Sequence, residues 1–478
     1  MKEIFSTARL HVLLQPVFLM CGFFWNSFLT KTISVDSYGL FTLSLTIFSI
    51  LSITANLGSA GGVMRFIPLY QESNSQHLLK NVYRLSIFIP LTLSLLLYGI
   101  LYVGKRTIDE NFVFGFSEVF PILGLYIIIN SVGSSLMKIS ITNGDFLRTK
   151  LNELFFQKVL PILLLCIVSI LHIPGLKVVI TVFIVCNLAS LFYWVILIRK
   201  YYQSIPTKDK GLKLDKEFLR FSILSGISSI LSMIYLWSDN ILIGFYMENY
   251  DVGLYGAMFI VAVIVRNFWF MAFTPILLPV LTKYIVRKEH SEVIQTFETL
   301  QKILVALTLP VATVFLVGGD YLISLMYTDE YLNGLSAFQT LVLLYTVCIC
   351  FGYSSYVVSA EGRADVIFKL TVFTLVINIV LNMILIPKYG LIGAAIATGM
   401  SEVVFSLSCF AFIRRKYKIK LWDWSVAISI LSLIILYVTP RTEVDTTLIC
   451  VFVIALTIIS LCFKVKNSII WRDRKGDL

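Results

Sequence analysis

Charged residues make up only 14% of the 478 in this chain, about half the roughly 25% of a soluble globular domain. An ordinary water-soluble fold is therefore excluded. Histidine occurs four times, at positions 11, 77, 172 and 290, with no zinc-type or catalytic spacing. The eight cysteines (Cys21, Cys166, Cys186, Cys348, Cys350, Cys409, Cys450, Cys462) fall inside or at the edge of apolar runs, without a CxxC pair. Neither a disulfide framework nor a metal site is expected, and no cofactor is implied. No GxxxxGK[ST] motif occurs, which argues against direct use of ATP. Long polar loops are missing too: the longest on the expected outer side runs only from about Lys105 to Glu118. That is short for a membrane glycan polymerase or ligase, which needs a sizeable catalytic loop.

Apolar residues take the space that charge vacates. They are 58% of the chain, and the mean hydropathy is +0.87. Fourteen apolar runs are each long enough for the ~20 residues that a hydrocarbon core requires: 8–33, 41–64, 82–104, 119–141, 151–171, 178–198, 218–247, 253–281, 303–327, 335–359, 366–386, 391–413, 421–439 and 446–463. The first has no small-residue cleavage signal behind it and reads as a retained helix. Basic residues test the count, because loops on the cytoplasmic side should hold the excess. With the N-terminus inside, 31 of the 39 lysines and arginines fall on the cytoplasmic side and six on the other (Lys31, Lys105, Arg106, Lys177, Lys388, Arg441). Both termini are thus expected in the cytoplasm of a multi-pass membrane protein. The net charge of +11 reads as topology plus attraction to anionic membrane lipids, and nucleic acid is not an expected partner.

The chain also repeats itself. Asn143-Gly144, Ile173-Pro174-Gly175-Leu176 and Arg199-Lys200-Tyr201 recur in order as Glu361-Gly362, Ile386-Pro387 through Gly390-Leu391 and Arg415-Lys416-Tyr417. At an offset of 214, Asn26 pairs with Asn240, Gly39 with Gly253 and Tyr70 with Tyr284. The expected architecture is all-α: a six-helix lobe over 1–198, a basic linker over 199–217, a second six-helix lobe over 218–413, and two helices with a tail over 414–478. Because six is even, the copies enter the membrane the same way, and a pseudo-twofold along the membrane normal should relate them. The expected cavity lies between the lobes. The segment 283–302 reads as an amphipathic helix in the membrane interface, and Pro16, Pro90, Pro161, Pro275, Pro279 and Pro310 as kinks.

The stretch from Asn378 through Asn382, Pro387, Gly390, Gly393, Ala394 and Ala395 to Glu402 resembles the signature around helices eleven and twelve of polysaccharide (O-antigen) flippases of the multidrug/oligosaccharidyl-lipid/polysaccharide exporter superfamily. Tyr38-Gly39-Leu40-Phe41 and Asp251-Val252-Gly253-Leu254-Tyr255 resemble the turn that links the first two helices of each lobe. The resemblance covers the whole layout and is sharp in these stretches. It implies a flippase that moves undecaprenyl-diphosphate-linked oligosaccharide by alternating access, without covalent chemistry. The resemblance also implies a place in the bacterial plasma (inner) membrane and a glycan polymerase and assembly proteins as partners; with no ATP motif, a proton or sodium gradient or downstream polymerisation would supply direction. The rival readings are a cation-coupled multidrug antiporter of the same superfamily and, less favoured, a glycan polymerase or ligase. The motif has a structural reading of its own: Pro387 ends a helix, Gly390 permits a turn, and Gly393 with the alanines allows close packing.

Four ionisable residues interrupt the spans: Lys158, Asp239, Arg266 and Glu402. At about 3 kcal/mol each on insertion scales they do not prevent insertion, but they cannot face lipid. Arg266 lies near the midplane and either binds a diphosphate bidentately or pairs with Asp239 or Glu402. Asp239 is open to sugar hydroxyls, to that pairing, or to a coupling cation. Glu402 is a proton or sodium site or a structural acid. Lys158 can snorkel to the cytoplasmic face. Lys31 and Arg65 are further candidates for phosphate, at exit and entry, against ordinary interfacial and positive-inside roles. Asn26 and Asn240 would face the cavity from equivalent positions. Arg266 and Glu402 have no charged counterparts in the first half, where Ser52 and Asn187 stand near the matching positions.

Overall fold

A computed structural model describes residues 17, 20–171, 175–206, 215–349, 351 and 353–418. The start of the first expected helix, Pro16, residues 207–214 of the linker, helices thirteen and fourteen, and Cys350, Cys450, Cys462, His11 and His172 lie outside the described residues. Among those described, every regular element is a helix. In order they are α1 (20–32), α2 (Val35–Asn56), α3 (Ser59–Glu72), α4 (Gln76–Asn111), α5 (Phe116–Leu123), α6 (Leu125–Thr142), α7 (Phe146–Leu154), α8 (Leu160–Ile170), α9 (Leu176–Gln203), α10 (Lys216–Tyr246), α11 (Asn249–Val286), α12 (His290–Val317), α13 (Gly319–Met326), α14 (Leu335–Ile349), α15 (Ser354–Ala360) and α16 (Ala364–Tyr417). Nine described stretches are long and apolar enough to cross a membrane. The last, at 54 residues, would be about 80 Å as one rod and is divided at Gly390, whose φ of 56° and ψ of −133° leave the helical region. With that division and the 38-residue α11, spans two to twelve of the expected order are all present.

Three local expectations are corrected. Tyr38–Phe41 and Asp251–Tyr255 are not turns; they lie in the first turns of α2 and α11. Their glycines serve packing instead. A Cβ on Gly39 would overlap the Asn249 carbonyl oxygen, and one on Gly253 the Val35 carbonyl oxygen, so these repeat-equivalent glycines let two backbones touch. Segment 283–302 is not one interfacial helix, because α11 ends at Val286 and α12 begins at His290. The break is set by Lys288, whose φ of 60° a helix does not tolerate. Helix eleven does not stop at Pro387 but runs on to the Gly390 break three residues later.

Packing divides the chain after Gly256. In the first unit α2 and α3 are separated by two left-handed residues, Leu57 and Gly58, and α10 fits against the break. A side chain on Gly58 would strike the Ser222 carbonyl, and one on Gly226 the Gly58 backbone. Around this contact Val63, Phe66, Ile67, Tyr83, Leu136, Trp194 and Phe218 form one buried cluster. In the second unit Leu281, Phe297, Ile349, Phe351, Phe410 and Ile413 form another. Leu96, Ile170, Phe192, Leu224 and Tyr321 remain more than half exposed, as lipid-facing positions require.

The repeat is visible in the turns at the basic-rich ends. Ser75 N–H bonds the Tyr70 carbonyl at 3.0 Å, and Glu289 N–H bonds the Tyr284 carbonyl at 2.9 Å. Asn74 and Lys288 share the positive φ between them, at 51° and 60°. Both pairs stand 214 residues apart. Gly144 and Gly362 likewise close matching turns with φ of 90° and 74°.

Candidate functional site

Arg266 sits in the interior of α11, seventeen residues after Asn249 and twenty before Val286, about 26 and 30 Å along the axis. It is half-buried, with Nη2 2.7 Å from Glu402 Oε2; the side chains are 28% and 7% exposed. The approach is close without the alignment of a hydrogen bond. The guanidinium also lies 5.7 Å from the ring centroid of Tyr345 on α14. An aromatic face and a carboxylate thus flank a cation at membrane depth, and only the carboxylate neutralises it.

Glu402 is placed by the α16 hairpin. Asn378 and Glu402 stand twelve residues before and after Gly390, Asn382 and Thr398 eight, so each pair lies at one depth, about 18 and 12 Å from the tip. All four are buried. Asn382 Nδ2 donates to Asn378 Oδ1 at 3.2 Å, and Asn378 Nδ2 to Thr398 Oγ1 at 3.4 Å. Polar side chains in lipid need partners: Asn382 and Asn378 pair along one arm, and Asn378 reaches Thr398 on the other. Gly393 is what lets the arms close, since a Cβ there would overlap the Leu385 carbonyl.

The other candidates fall in the first unit. Asp239 on α10 is buried and accepts a 2.9 Å hydrogen bond from the Tyr255 hydroxyl. Asn240 beside it is also buried, its Nδ2 without a protein hydrogen bond. Asn26 donates to the Gly22 carbonyl at 2.9 Å and accepts from Tyr38 at 3.3 Å. Lys31 is exposed at the end of α1. Arg65, exposed on α3, stacks 4.5 Å from the centroid of Phe221 on α10. The Lys158 ammonium lies beside α1, 3.9 Å from where a Gly22 side chain would begin. Of the residues singled out in the sequence, the structure brings Arg266 and Glu402 together. The tyrosines at Arg266 and Asp239 carry no signal of their own in an aromatic-rich chain.

Sequence reasoning also missed a cavity of about 240 Å³ in the first unit, lined by α6, α7 and α9. Between α7 and α8 the helix widens into one π turn, Phe155–Val159, followed at once by Pro161, which cannot donate a backbone hydrogen bond. Gln157 of that turn lines the cavity, opposite Asn130, Ser134, Asn187 and Ser190. Glu153 lies at its edge, 2.6 Å from Lys150 Nζ. Ser52, at the position matching Arg266, accepts from Asn130 at 2.6 Å, and Asn187 matches Glu402 to within a residue. The positions that match Arg266 and Glu402 by the repeat are thus uncharged, and they lie beside this cavity and in its lining. Ser52 and Asn187 were the sequence signal that could have led to it.

The family model described as "Polysaccharide biosynthesis protein" matches residues 28–336. The probable low-salt glycan biosynthesis flippase Agl15 of Haloferax volcanii is 25% identical over 225 residues, 45% of this chain and 46% of its own length. The capsular polysaccharide biosynthesis protein CapF of Staphylococcus aureus is 24% identical over 224 residues, 45% of this chain and 54% of its own. The chain thus matches about half the length of these curated relatives. Among solved structures, the lipid II flippase MurJ in its inward closed conformation matches with a TM-score of 0.71 at 16% identity, over 98% of this chain and 99% of that one. An inward-facing multidrug resistance transporter of the MATE family matches with a TM-score of 0.67 at 15% identity, over 82% and 93%. At such identities these two structures establish the fold alone.

Proposed function

We propose, from the premise that this chain belongs to the polysaccharide biosynthesis protein family, that it flips a lipid-linked oligosaccharide across the plasma membrane. The observation that carries the reading is Arg266, a cation at membrane depth paired with Glu402, whose planar guanidinium fork is suited to a diphosphate. Named roles of the relatives, a glycan biosynthesis flippase and a capsular polysaccharide biosynthesis protein, support it. The step is transport, with no bond made or broken. A multidrug antiporter would place an acidic group where a cationic drug binds, and Arg266 disfavours that alternative.

In this reading the diphosphate of the carrier lipid displaces Glu402 from Arg266, because two negative groups bind the planar fork better than one. Glu402 is then left in a medium where an unpaired carboxylate costs on the order of several kcal/mol, so it takes up a proton or a sodium ion. Release of the headgroup on the far side restores the pair and returns that ion, which ties transport to a gradient. The polyprenyl tail stays in lipid throughout. The lobes are 1–198 and 218–413, joined by 199–217, and 414–478 adds two further spans, with both termini cytoplasmic. Arg65 near the cytoplasmic face and Lys31 near the outer face are the entry and exit contacts. The glycan polymerase and assembly proteins receive the flipped unit.

The test is export in a flippase-deficient host, following the leaflet on which lipid-linked repeat units accumulate. Arg266→Ala is expected to insert normally and to leave the units on the cytoplasmic leaflet. Arg266→Lys keeps the charge without the fork and should restore only part of the export. Wild-type glycan display by Arg266→Ala at equal expression would remove Arg266 as the diphosphate contact, and no rescue by the wild-type chain would remove the flippase reading.

A further inference from the structure

The cavity of the first unit is chemically unlike the Arg266 site that it matches by repeat. Apart from Glu153, which pairs with Lys150, its polar groups are neutral amides and hydroxyls, and most are already anchored. Asn130 Nδ2 donates to Ser52 at 2.6 Å, Asn187 Nδ2 to the Phe183 carbonyl at 2.8 Å, and Ser190 Oγ to Asn152 at 2.6 Å. Ser134 Oγ donates to the Ser131 carbonyl at 3.0 Å and accepts from Asn56 at 3.1 Å. What these bonds leave over is of both kinds: the Oδ1 atoms of Asn130 and Asn187 and the lone pairs of Ser190 as acceptors, and a second N–H on each asparagine as donor. Gln157 adds a whole amide from the π turn. An occupant must therefore both donate and accept.

Charge and size narrow the occupant further. A phosphate would meet the Glu153 carboxylate and no lysine or arginine in the lining, so the diphosphate does not belong here. A bare cation would find the Glu153 charge taken by Lys150 at 2.6 Å, and about 240 Å³ is far roomier than the ~10–15 Å³ that even one water needs. What remains is a neutral molecule the size of a sugar ring, rich in hydroxyl groups, with the apolar wall of Trp194 to lie against. We propose that this cavity binds a sugar of the glycan headgroup, while Arg266 takes the diphosphate. This assignment rests on the flippase reading and deepens it.

The experiment uses the full chain in lipid nanodiscs, with glucose, galactose, N-acetylglucosamine and rhamnose as soluble probes. Saturation-transfer NMR and the fluorescence of Trp194, isolated with a Trp194→Phe control, report occupancy. Saturable binding of at least one sugar is expected, weakened roughly tenfold by Gln157→Leu, which is about 1.4 kcal/mol. Ser134→Ala, a smaller change, should weaken it in the same direction and covers the case in which Gln157→Leu is not monodisperse. No saturable signal from any of the four sugars, or equal binding by both variants, overturns the assignment. A response to sodium chloride but not choline chloride, lost in the same variants, overturns it in favour of a cation. Sugar binding by a wild-type chain that fails to restore export would sink the flippase reading and leave the cavity's ligand standing; restored export without sugar binding would do the reverse.

Discussion

Glu402 and Arg266 are each costly in a membrane and inexpensive together, so what either does depends on when the pair opens. The 2.7 Å separation and the 7% exposure of Glu402 leave the carboxylate no other strong cation partner in the described structure once Arg266 turns to a diphosphate. Glu402→Gln keeps the shape and deletes the ionisable group. It is expected to insert normally and to lose the dependence of export on the membrane gradient, measured in vesicles with the proton and sodium gradients collapsed in turn. Unchanged gradient dependence would make Glu402 a structural partner only. Arg266, Asp239 and Glu402 were legible in the sequence because each interrupts an apolar run at a cost of about 3 kcal/mol. Their partners Tyr345 and Tyr255 were not, since a tyrosine among apolar residues costs little and carries no such signature. Gln157, a lone amide, was silent for a related reason: it acquires meaning only when the π turn sets it among Asn130, Asn187 and Ser190.

At the scale of elements, the helices are held by backbone contact at a few glycines rather than by a hydrophobic drive that lipid would cancel. Gly58 combines a φ of 69° with a site where any Cβ would strike α10, whereas Gly99 in α4 has open space around it. Gly58→Ala is therefore expected to lower the melting temperature in detergent by several degrees. Gly99→Ala is expected to raise it slightly, by removing chain entropy worth roughly 0.5–1 kcal/mol. Equal effects at the two positions would mean that the α2–α10 approach contributes nothing. Span lengths and turn residues could be read from the sequence because apolar runs and the Asn-Gly and Gly-Leu punctuation are local. The break at Leu57 and the π turn before Pro161 could not, because both answer to neighbouring helices: α10 in one case, α6 and α9 in the other. The same holds for Tyr38–Phe41, which reads as a turn from its resemblance to an inter-helix link and is helical, with Gly39 set against Asn249 and Gly253.

For the whole molecule, the sequence yields a parity argument that side-chain geometry cannot supply. The described turns with shared form, at 73–75, 143–145, 287–289 and 361–363, all end even-numbered spans, and the basic residues crowd that side. Moving one elementary charge the wrong way through an apolar core is costly enough that such an excess orients a chain. Fluorescent-protein fusions at 74, 144, 288 and 362 are accordingly expected to fluoresce in the cytoplasm. Alkaline phosphatase fused at 114, 248 and 328, after odd-numbered spans, should be active outside. The C-terminal tail decides between span counts: with spans thirteen and fourteen both crossing, a fusion after Leu478 reports the same side as one after Lys418. Opposite signals at 418 and 478 would leave thirteen spans and put the basic tail, Lys464 through Lys475, on the outer face, against the orientation that every other basic loop favours. Inverted signals at all positions would reverse entry and exit, placing Arg65 at the outer surface and Lys31 in the cytoplasm, and the proposed path of the diphosphate would have to run the other way.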